Sequence, residues 1–576
     1  MSPWLTITNA ALRIVRSMIP VSILYVGKLI IDHVLALSTG KSNDTFYLWE
    51  LVAAEFALAF LSDALARFTT LTDSLLGDLF ANHTSVLIMK HAATLDLAQF
   101  EDSTFYDKLE RARQQTVGRT VLLSQVLSQL QDIITVGFLA VGFIAFNPWL
   151  ILILLVAVLP AFMGESYFND RTYSLNRRQT PERRELDYLR YVGASDESAK
   201  EVKLFNLSGF LIDRFKFLST KFFLDNKKIS LNRSLWGTLF SLLGTFGYYG
   251  AYVYIILKTI EGKLTIGDLT FLAGSFRQLR TLLEGILSRF TTIAQGAIYL
   301  NDFFDFFDIQ PEIIPRENAR PFPKPLKEGF RFENVGFKYA NSEKWANRNL
   351  NFTLRAGEKL ALVGENGAGK STLVKLISRL YDPTEGRILL DGYDLREYDL
   401  MELRREIGVI FQDFIRYQMT VSQNIAVGNI DQKDNRKLII DAARQSLADP
   451  LVERLPGKYD QALGKRFNQG VELSGGEWQK IALARAYMKD AAVLILDEPT
   501  AALDARAEYE VFRRFSELTR GKTAVLISHR FSTVRMADRI VVLDQGEIIE
   551  IGSHEDLLQN NGRYAELFKL QAMGYQ

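Results

Sequence analysis

Residues 364–371 read Gly-Glu-Asn-Gly-Ala-Gly-Lys-Ser and match the pattern G-x-x-x-x-G-K-[ST]. The apolar stretch 360–363 before them predicts a buried strand, and the stretch 372–377 after them predicts a helix. In that context the glycines allow backbone N–H groups to wrap around phosphate oxygens at the start of a helix. The stretch therefore predicts an α/β P-loop nucleotide-binding domain, with Lys370 on the β- and γ-phosphates and Ser371 on Mg²⁺.

A second element lies further along the chain, where four apolar residues at 493–496 precede Asp497 and Glu498. The pattern predicts a buried strand that ends in two carboxylates, at the edge where open α/β sheets bind their ligands. We expect Asp497 to hold Mg²⁺ through its water shell and Glu498 to act as the general base on the attacking water. The alternative is a pair of acids in a solvated loop.

Between these elements, residues 473–477 read Leu-Ser-Gly-Gly-Glu and precede a predicted helix. A Ser-Gly-Gly sequence at the start of a helix indicates another anion site, in which the Ser474 hydroxyl can donate to a phosphate. Because Gly-Gly is also typical of an ordinary turn, the order of the motifs supports this interpretation more than the motif itself does.

The N-terminal half has a different composition. The chain has 576 residues, 68 Lys and Arg, 67 Asp and Glu, a net charge of +1 and no cysteine. Residues 1–310 carry 58 of the charged side chains, and residues 311–576 carry the other 77. The near-zero net charge excludes a nucleic-acid binder built on bulk positive charge. The lack of cysteine excludes a disulfide scaffold, a zinc–thiolate site and a cysteine nucleophile.

Apolar runs in this half predict membrane spans, because a helix needs about 20 apolar residues to cross a bilayer. Residues 133–164 carry no charge and are interrupted by Asn147-Pro148, which predicts two spans joined by a short turn. Residues 234–257 predict another. Three charged stretches are either further spans, whose charged faces line a wet cavity or extend beyond the bilayer, or soluble amphipathic helices: roughly 10–36, 47–71 and 265–300.

Six spans place both chain ends on one side of the membrane. Residues 166–234 carry fourteen Lys and Arg, which by the positive-inside rule places this segment and both ends in the cytoplasm. The segments 72–118 and 166–234 predict helices that extend beyond the membrane. Turns near 100–109 and 202–210 place aromatic residues beside charges, and these turns either dock onto a cytoplasmic domain or form ordinary loop helices.

Five prolines between residues 311 and 325 mark a boundary. We therefore expect an α-helical membrane domain over 1–308, a linker over 309–328 and an α/β nucleotide-binding domain over 329–576.

With these motifs in this order, the whole chain resembles the ATP-binding cassette (ABC) transporters, specifically the exporter-type half-transporters. The resemblance implies that Tyr339 stacks on adenine and that Gln412 contacts Mg²⁺ and the attacking water. It implies that His529 contacts the γ-phosphate and that Asp504 belongs to the D-loop. It further implies a nucleotide-binding set at the P-loop and the signature motif: Gly364, Glu365, Asn366, Gly367, Ala368, Gly369, Lys370, Ser371, Thr372, Ser474, Gly475, Gly476 and Glu477.

Two stretches depart from the family pattern. The signature motif usually ends in Gln, and this chain has Glu477. Residues 464–470 read Gly-Lys-Arg-Phe-Asn-Gln-Gly where many exporters have Thr-Glu-Val-Gly-Glu-Arg-Gly. We expect a protein with Glu477 to hydrolyse ATP. We expect residues 464–470 to contact the membrane domain differently from the usual exporter segment.

The resemblance implies hydrolysis of ATP to ADP and phosphate, with Mg²⁺, coupled to export of an unidentified solute by alternating access. Each motif occurs once, so two chains are needed for a complete site, which predicts a homodimer or a heterodimer with a degenerate partner. The expected location is the inner (plasma) membrane, as a multi-pass protein in the lipid bilayer with a cytoplasmic nucleotide domain. The alternatives are an importer that uses the exporter fold and a membrane ATPase with a regulatory role.

Residues Arg277, Arg280 and Glu284 lie on one face of the predicted helix at 265–300. They either line the transport cavity and favour an anionic or zwitterionic solute, or they pair with each other or with Glu55 and Asp63.

Overall fold

The computed structural model describes residues 2–146, 149–340, 342–497, 513–528 and 534–573. The chain divides into two compact units. The first comprises residues 1–93 and 107–309 and is called the membrane unit after the prediction for it, and the second comprises residues 94–106 and 310–576 and is called the nucleotide unit on the same basis. A short piece from the N-terminal half therefore belongs to the nucleotide unit.

The N-terminal half is helical throughout the part that the structure describes. The helices are α1 (Pro3–Ser38), α2 (Thr45–Thr94), α3 (Leu97–Phe100), α4 (Ser103–Phe146), α5 (Trp149–Arg178), α6 (Thr180–Ala194), α7 (Ala199–Leu204), α8 (Ser208–Ile260) and α9 (Ile266–Phe307). Three stretches are long and apolar enough to cross a membrane, judged by length and composition over the described residues: Pro3–Ser38, Leu122–Val141 and Ser208–Ile260. The total of six spans stays a prediction, and the predicted turn at Asn147-Pro148 lies outside the described residues.

A buried polar network joins three helices of the membrane unit. Arg13 on α1 donates to Asp73 on α2 over 2.5 Å and to Ser128 on α4 over 3.1 Å. Asn9 donates to Asp73 and to Thr72, in both cases over 2.7 Å. Arg13 is buried, and its opposite charge and polar neighbours offset part of the cost of removing the guanidinium from water.

On α9, Arg280 donates to Glu284 over 2.8 Å, four residues further along the helix. This contact agrees with the pairing alternative for these two residues. Arg277 on the same helix is exposed in the single chain.

Among its described residues, the nucleotide unit contains two sheets. Its strands are β1 (Gly329–Lys338), β2 (Trp345–Arg355), β3 (Lys359–Val363), β4 (Glu385–Leu390), β5 (Tyr393–Asp394), β6 (Ile407–Ile410), β7 (Val493–Asp497), β8 (Thr523–Ile527), β9 (Arg539–Asp544) and β10 (Glu547–Gly552). One sheet is antiparallel with the order β2-β1-β4-β5. The other has the order β10-β9-β3-β8-β7-β6, in which β10 is antiparallel and the other pairs are parallel.

Besides α3, the α-helices in the described part of this unit are α10 (Lys370–Ile377), α11 (Leu400–Glu406), α12 (Val421–Ala426), α13 (Arg436–Gln445), α14 (Asp449–Val452), α15 (Gly475–Lys489), α16 (His554–Gln559) and α17 (Arg563–Met573). Strand β3 is buried on both faces, with Leu360 and Leu362 in one core cluster and Ala361 and Val363 in another. Burial on both faces is the reason that this strand is continuously apolar in the sequence.

Helices α12 to α15 form a separate helical core around Trp478, which is fully buried. The unusual stretch 464–470 is a compact loop beside this core. The Gly464 N–H donates to Val471 over 2.9 Å, and Gln461 donates to the Gln469 carbonyl over 2.6 Å. Phe467 at the tip of the loop is exposed.

Candidate functional site

The loop of residues 364–369, here called the phosphate-binding loop after its predicted role, connects β3 to α10, as the sequence predicts. Gly369 is the N-cap of α10 and has a φ of +97°. A Cβ at this position would lie 2.4 Å from the Asn347 amide nitrogen and 2.5 Å from the Ala346 carbonyl oxygen. Close approach to a neighbouring backbone and a left-handed φ both require glycine here, so the loop can aim its N–H groups at an anion at the start of α10.

The Lys370 side chain folds back over this loop. Its ammonium donates to the carbonyl oxygens of Gly364 and Glu365 over 2.8 and 2.9 Å, and the side chain is buried. The ammonium is thus held beside the first two residues of the loop. It is therefore placed to meet the charge of a bound phosphate.

Further polar residues follow the parallel strands beside this loop. Gln412 comes two residues after β6, Asp497 is the last residue of β7, and Ser528 follows β8. Asp497 is 4% exposed and Gln412 is exposed. Because these strands run parallel to β3, the structure brings all three residues to the carboxyl edge of the sheet, where the phosphate-binding loop also begins.

Tyr339 follows β1 and belongs to an aromatic cluster. Its hydroxyl lies 3.2 Å from the Thr372 hydroxyl on α10. Its ring makes edge contacts with Phe337 and Tyr381, at centroid distances of 4.9 and 5.6 Å. This network ties the candidate adenine-stacking residue to the helix that begins at the phosphate-binding loop.

The signature stretch begins α15 with a capping box. Ser474 is the N-cap, and its backbone N–H and its hydroxyl both donate to Glu477 over 2.9 Å. The Glu477 N–H donates back to the Ser474 hydroxyl over 3.4 Å. The glutamate that departs from the family pattern therefore holds the signature serine at the helix N-terminus.

Several predicted site residues lie outside the described residues. These are the general base Glu498, the D-loop with Asp504, and His529. The strands that precede them, β7 and β8, are described and are buried along their whole length.

The sequence analysis offers docking as one alternative for the turn near 100–109, but it does not indicate the contacts that residues 94–99 make within the nucleotide unit. Asp96 accepts hydrogen bonds from the backbone N–H groups of Glu312 and Ile313 over 2.6 and 2.9 Å. Leu97 and Ala98 pack against the core between the two sheets. Of the two predicted docking turns, the one near 100–109 thus begins in a segment that packs on the nucleotide unit.

A second missed contact joins the C-terminal helix to the phosphate-binding loop. Arg563 on α17 forms an ion pair with Glu365 in the loop and a second one with Glu566. A cavity of about 460 Å³ lies beside this pair and is lined by the loop and by Leu567 and Leu570. Arg563 and Glu365 are 198 positions apart in the chain, and no local pattern in the sequence indicates that they meet.

Comparison with known proteins matches residues 347–501 to the ABC transporter family model. Subtilin transport ATP-binding protein SpaT of Bacillus subtilis is 32% identical over 83% of this chain and 78% of that protein. The ATP-dependent lipid A-core flippase of Syntrophus aciditrophicus is 41% identical over 60% of this chain and 56% of that protein. A bacterial Atm1-family ABC exporter with ATP bound has a TM-score of 0.83 and 25% identity, with 99% of each chain covered.

Proposed function

Because the chain belongs to the ABC transporter family, as an ATPase that couples hydrolysis to export, we propose that it works as a homodimer of half-transporters. A single chain has one phosphate-binding loop and one signature motif. In the proposed assembly, the loop of one copy faces the signature motif of the other across ATP. We further propose that each copy has a six-span membrane domain over 1–308, a linker over 309–328 and a nucleotide-binding domain over 329–576.

The assignment of the ATP site rests on one observation: the predicted nucleotide and Mg²⁺ contacts lie at the same edge of the parallel sheet. The phosphate-binding loop after β3, Gln412 after β6 and Asp497 at the end of β7 lie at the carboxyl ends of parallel strands. We propose that Lys370 leaves its loop carbonyls for the β- and γ-phosphates when ATP binds. Tyr339 then stacks on adenine, and Ser474 of the second copy donates to the γ-phosphate.

The donor set at this edge fits Mg²⁺. The Ser371 hydroxyl, the Gln412 amide oxygen and the Asp497 carboxylate are hard oxygen ligands of the kind that Mg²⁺ takes together with water and phosphate. When bound, the ion would neutralise charge that develops on the transferring phosphoryl group. We propose that Glu498 holds and deprotonates the attacking water and that His529 contacts the γ-phosphate.

An exposed tip in the membrane unit supports contact with a second copy. Leu204, Phe205 and Phe210 lie at the turn between α7 and α8 and are 78%, 64% and 68% exposed. Apolar side chains grouped on an exposed turn are typical of an interaction surface. We propose that this turn docks onto the nucleotide unit of the second copy, on the cytoplasmic side of the plasma membrane.

The test is an ATPase assay of the protein in lipid against a panel of solutes, with wild type beside Glu498→Gln. We expect wild type to hydrolyse ATP with Mg²⁺, and the variant to bind ATP and lose nearly all turnover. Inside-out vesicles should take up the stimulating solute, because uptake there corresponds to export. Substantial turnover of the Glu498→Gln variant would contradict the general-base assignment, and uptake by right-side-out vesicles alone would contradict export.

A further inference from the structure

The segment of residues 94–106, here called the α3 segment, is covalently continuous with α2 and α4 yet belongs to the nucleotide unit. Glu101 lies at the C-cap of α3, and both of its carboxylate oxygens are engaged. One accepts from the Lys375 ammonium over 2.7 Å, and the other accepts from the Tyr381 hydroxyl over 2.5 Å. Glu101 therefore attaches the α3 segment to α10, the helix that follows the phosphate-binding loop.

Lys375 makes a second set of contacts on the same side of α10. Its ammonium lies 5.2 Å from the ring centroid of Tyr339 and 5.6 Å from that of Tyr381. A cation at this distance from an aromatic ring is attracted by the electron-rich ring face. The Tyr339 hydroxyl is also within hydrogen-bond distance of Thr372, one turn earlier on α10.

The charge states agree with this geometry. Burial would raise the pKa of Glu101, but hydrogen bonds from Lys375 and Tyr381 outweigh it and lower the pKa. Burial would lower the pKa of Lys375, but the bond to Glu101 and the proximity of Tyr339 outweigh it and raise the pKa. Both groups are therefore ionised at neutral pH, and one ammonium is shared between a carboxylate of the α3 segment and the ring of Tyr339.

We propose that Lys375 is a positioning residue that holds Tyr339 for the nucleotide base and that Glu101 holds Lys375 in place. The contact of the α3 segment with α10 then affects the affinity for the base. By the reciprocity of coupled sites, a bound base in turn stabilises that contact. This inference rests on the proposed role of Tyr339 in stacking on adenine. The proposed role of Lys375 concerns only the base of the nucleotide. The phosphates are bound by Lys370 and the phosphate-binding loop, as proposed above.

The experiment uses the full chain in lipid nanodiscs and measures kcat and KM for ATP together with the inhibition constant of inorganic tripolyphosphate, which has no base. The variants are Lys375→Gln, Glu101→Gln and the double variant. We expect each single variant to raise KM for ATP about three- to tenfold, as the loss of a partly buried cation–π contact would. The inhibition constant of tripolyphosphate should stay within twofold of wild type, which also shows that the variants are folded.

The double variant should raise KM no further than either single variant, because both changes break the same chain of contacts. The matched control is the surface pair Lys458 and Glu453, which are 2.7 Å apart and 60% and 49% exposed. Lys458→Gln and Glu453→Gln should leave both constants unchanged. Additive effects of Lys375→Gln and Glu101→Gln would overturn the proposal, as would an equal rise in the tripolyphosphate constant.

A further variant separates this inference from the function it rests on. Tyr339→Ala should raise KM for ATP about tenfold or more, as loss of a stacked base does. If Tyr339→Ala has no effect, the adenine assignment is wrong. If Tyr339→Ala has the expected effect while Lys375→Gln and Glu101→Gln do not, the adenine assignment stands and the positioning role of Lys375 is wrong.

Discussion

At the scale of single residues, Gly369 is a position where the phosphate-binding loop tolerates little change. Gly369→Ala would place a methyl group 2.5 Å from the Ala346 carbonyl oxygen at a φ of +97°. We expect loss of ATPase activity and a free energy of unfolding of the nucleotide unit lower by about 2 kcal/mol or more, since the strain and the clash add. Thermal unfolding of the full chain and ATP turnover measure the two effects.

Gly357 is the matched control. It also has a left-handed φ, +78°, but an added Cβ would meet no atom within 4 Å. Gly357→Ala should therefore cost only the backbone strain, about 1 kcal/mol, and should keep ATPase activity. Equal activity of Gly369→Ala and Gly357→Ala would contradict the close approach as the reason for glycine at 369.

At the scale of secondary-structure elements, Asp96 is the residue that fastens the α3 segment to the backbone after α9. Its carboxylate accepts from the N–H groups of Glu312 and Ile313, and it is 8% exposed. Asp96→Ala would leave two backbone donors without this partner, which costs about 1–3 kcal/mol. We expect faster proteolysis of the 94–106 and 310–315 segments and weaker stimulation of ATPase by solute.

A second acidic cap provides the comparison for Asp96. Asp44 accepts from the Tyr47 N–H over 3.0 Å at the exposed start of α2. Asp44→Ala should remove a similar local bond without changing proteolysis of the α3 segment. If Asp96→Ala and Asp44→Ala behave alike, the buried bonds of Asp96 do not anchor the segment.

The Arg13–Asp73 pair predicts a stability effect in the membrane unit. The side chains are 6% and 17% exposed. Arg13→Met leaves Asp73 buried without its cation, which costs about 3–5 kcal/mol, whereas Arg13→Met with Asp73→Leu removes both charges and should recover most of the loss. The measurement is the thermal unfolding midpoint in detergent. A double variant less stable than Arg13→Met would contradict this account.

The elements differ in how far the sequence predicts them. The loop from β3 to α10 and the helix after Ser474 follow local patterns, and both lie where those patterns place them. The ABC exporter fold and the ATPase activity are confirmed by the family match and the relatives. The contacts of Glu101 with Lys375 and of Arg563 with Glu365 join residues far apart in the chain, so hydrophobic periodicity contains no signal for them.

At the scale of the whole molecule, the absence of cysteine allows the proposed dimer to be tested by thiol cross-linking, because no native cysteine can react. Two differently tagged chains, one with Asn366→Cys and one with Ser474→Cys, are co-expressed in a Glu498→Gln background and treated with a short thiol cross-linker. We expect a cross-linked pair of the two tags with ATP and little without it, because the loop of one copy would face the signature motif of the other. The product is read on a denaturing gel.

The control for this experiment moves one cysteine away from the interface. Gly357→Cys lies at a turn before β3, at the opposite end of the strand from the phosphate-binding loop. Paired with Ser474→Cys, it should yield no ATP-dependent product. A product with no dependence on ATP, or an equal yield from the Gly357→Cys control pair, would count against two ATP sites shared between copies.

The division of the nucleotide unit into residues 94–106 and 310–576 has a consequence for how the protein is made. The α3 segment leaves the ribosome about 200 residues before Gln310, a delay of about 10–40 s at usual elongation rates. During that time Leu97 and Ala98 have no sheet core to cover, and Asp96 has no backbone partners from residues 312 and 313. The contacts of the α3 segment are therefore completed only after the nucleotide unit has been made. Quality control of the newly made chain thus extends to its C-terminal end.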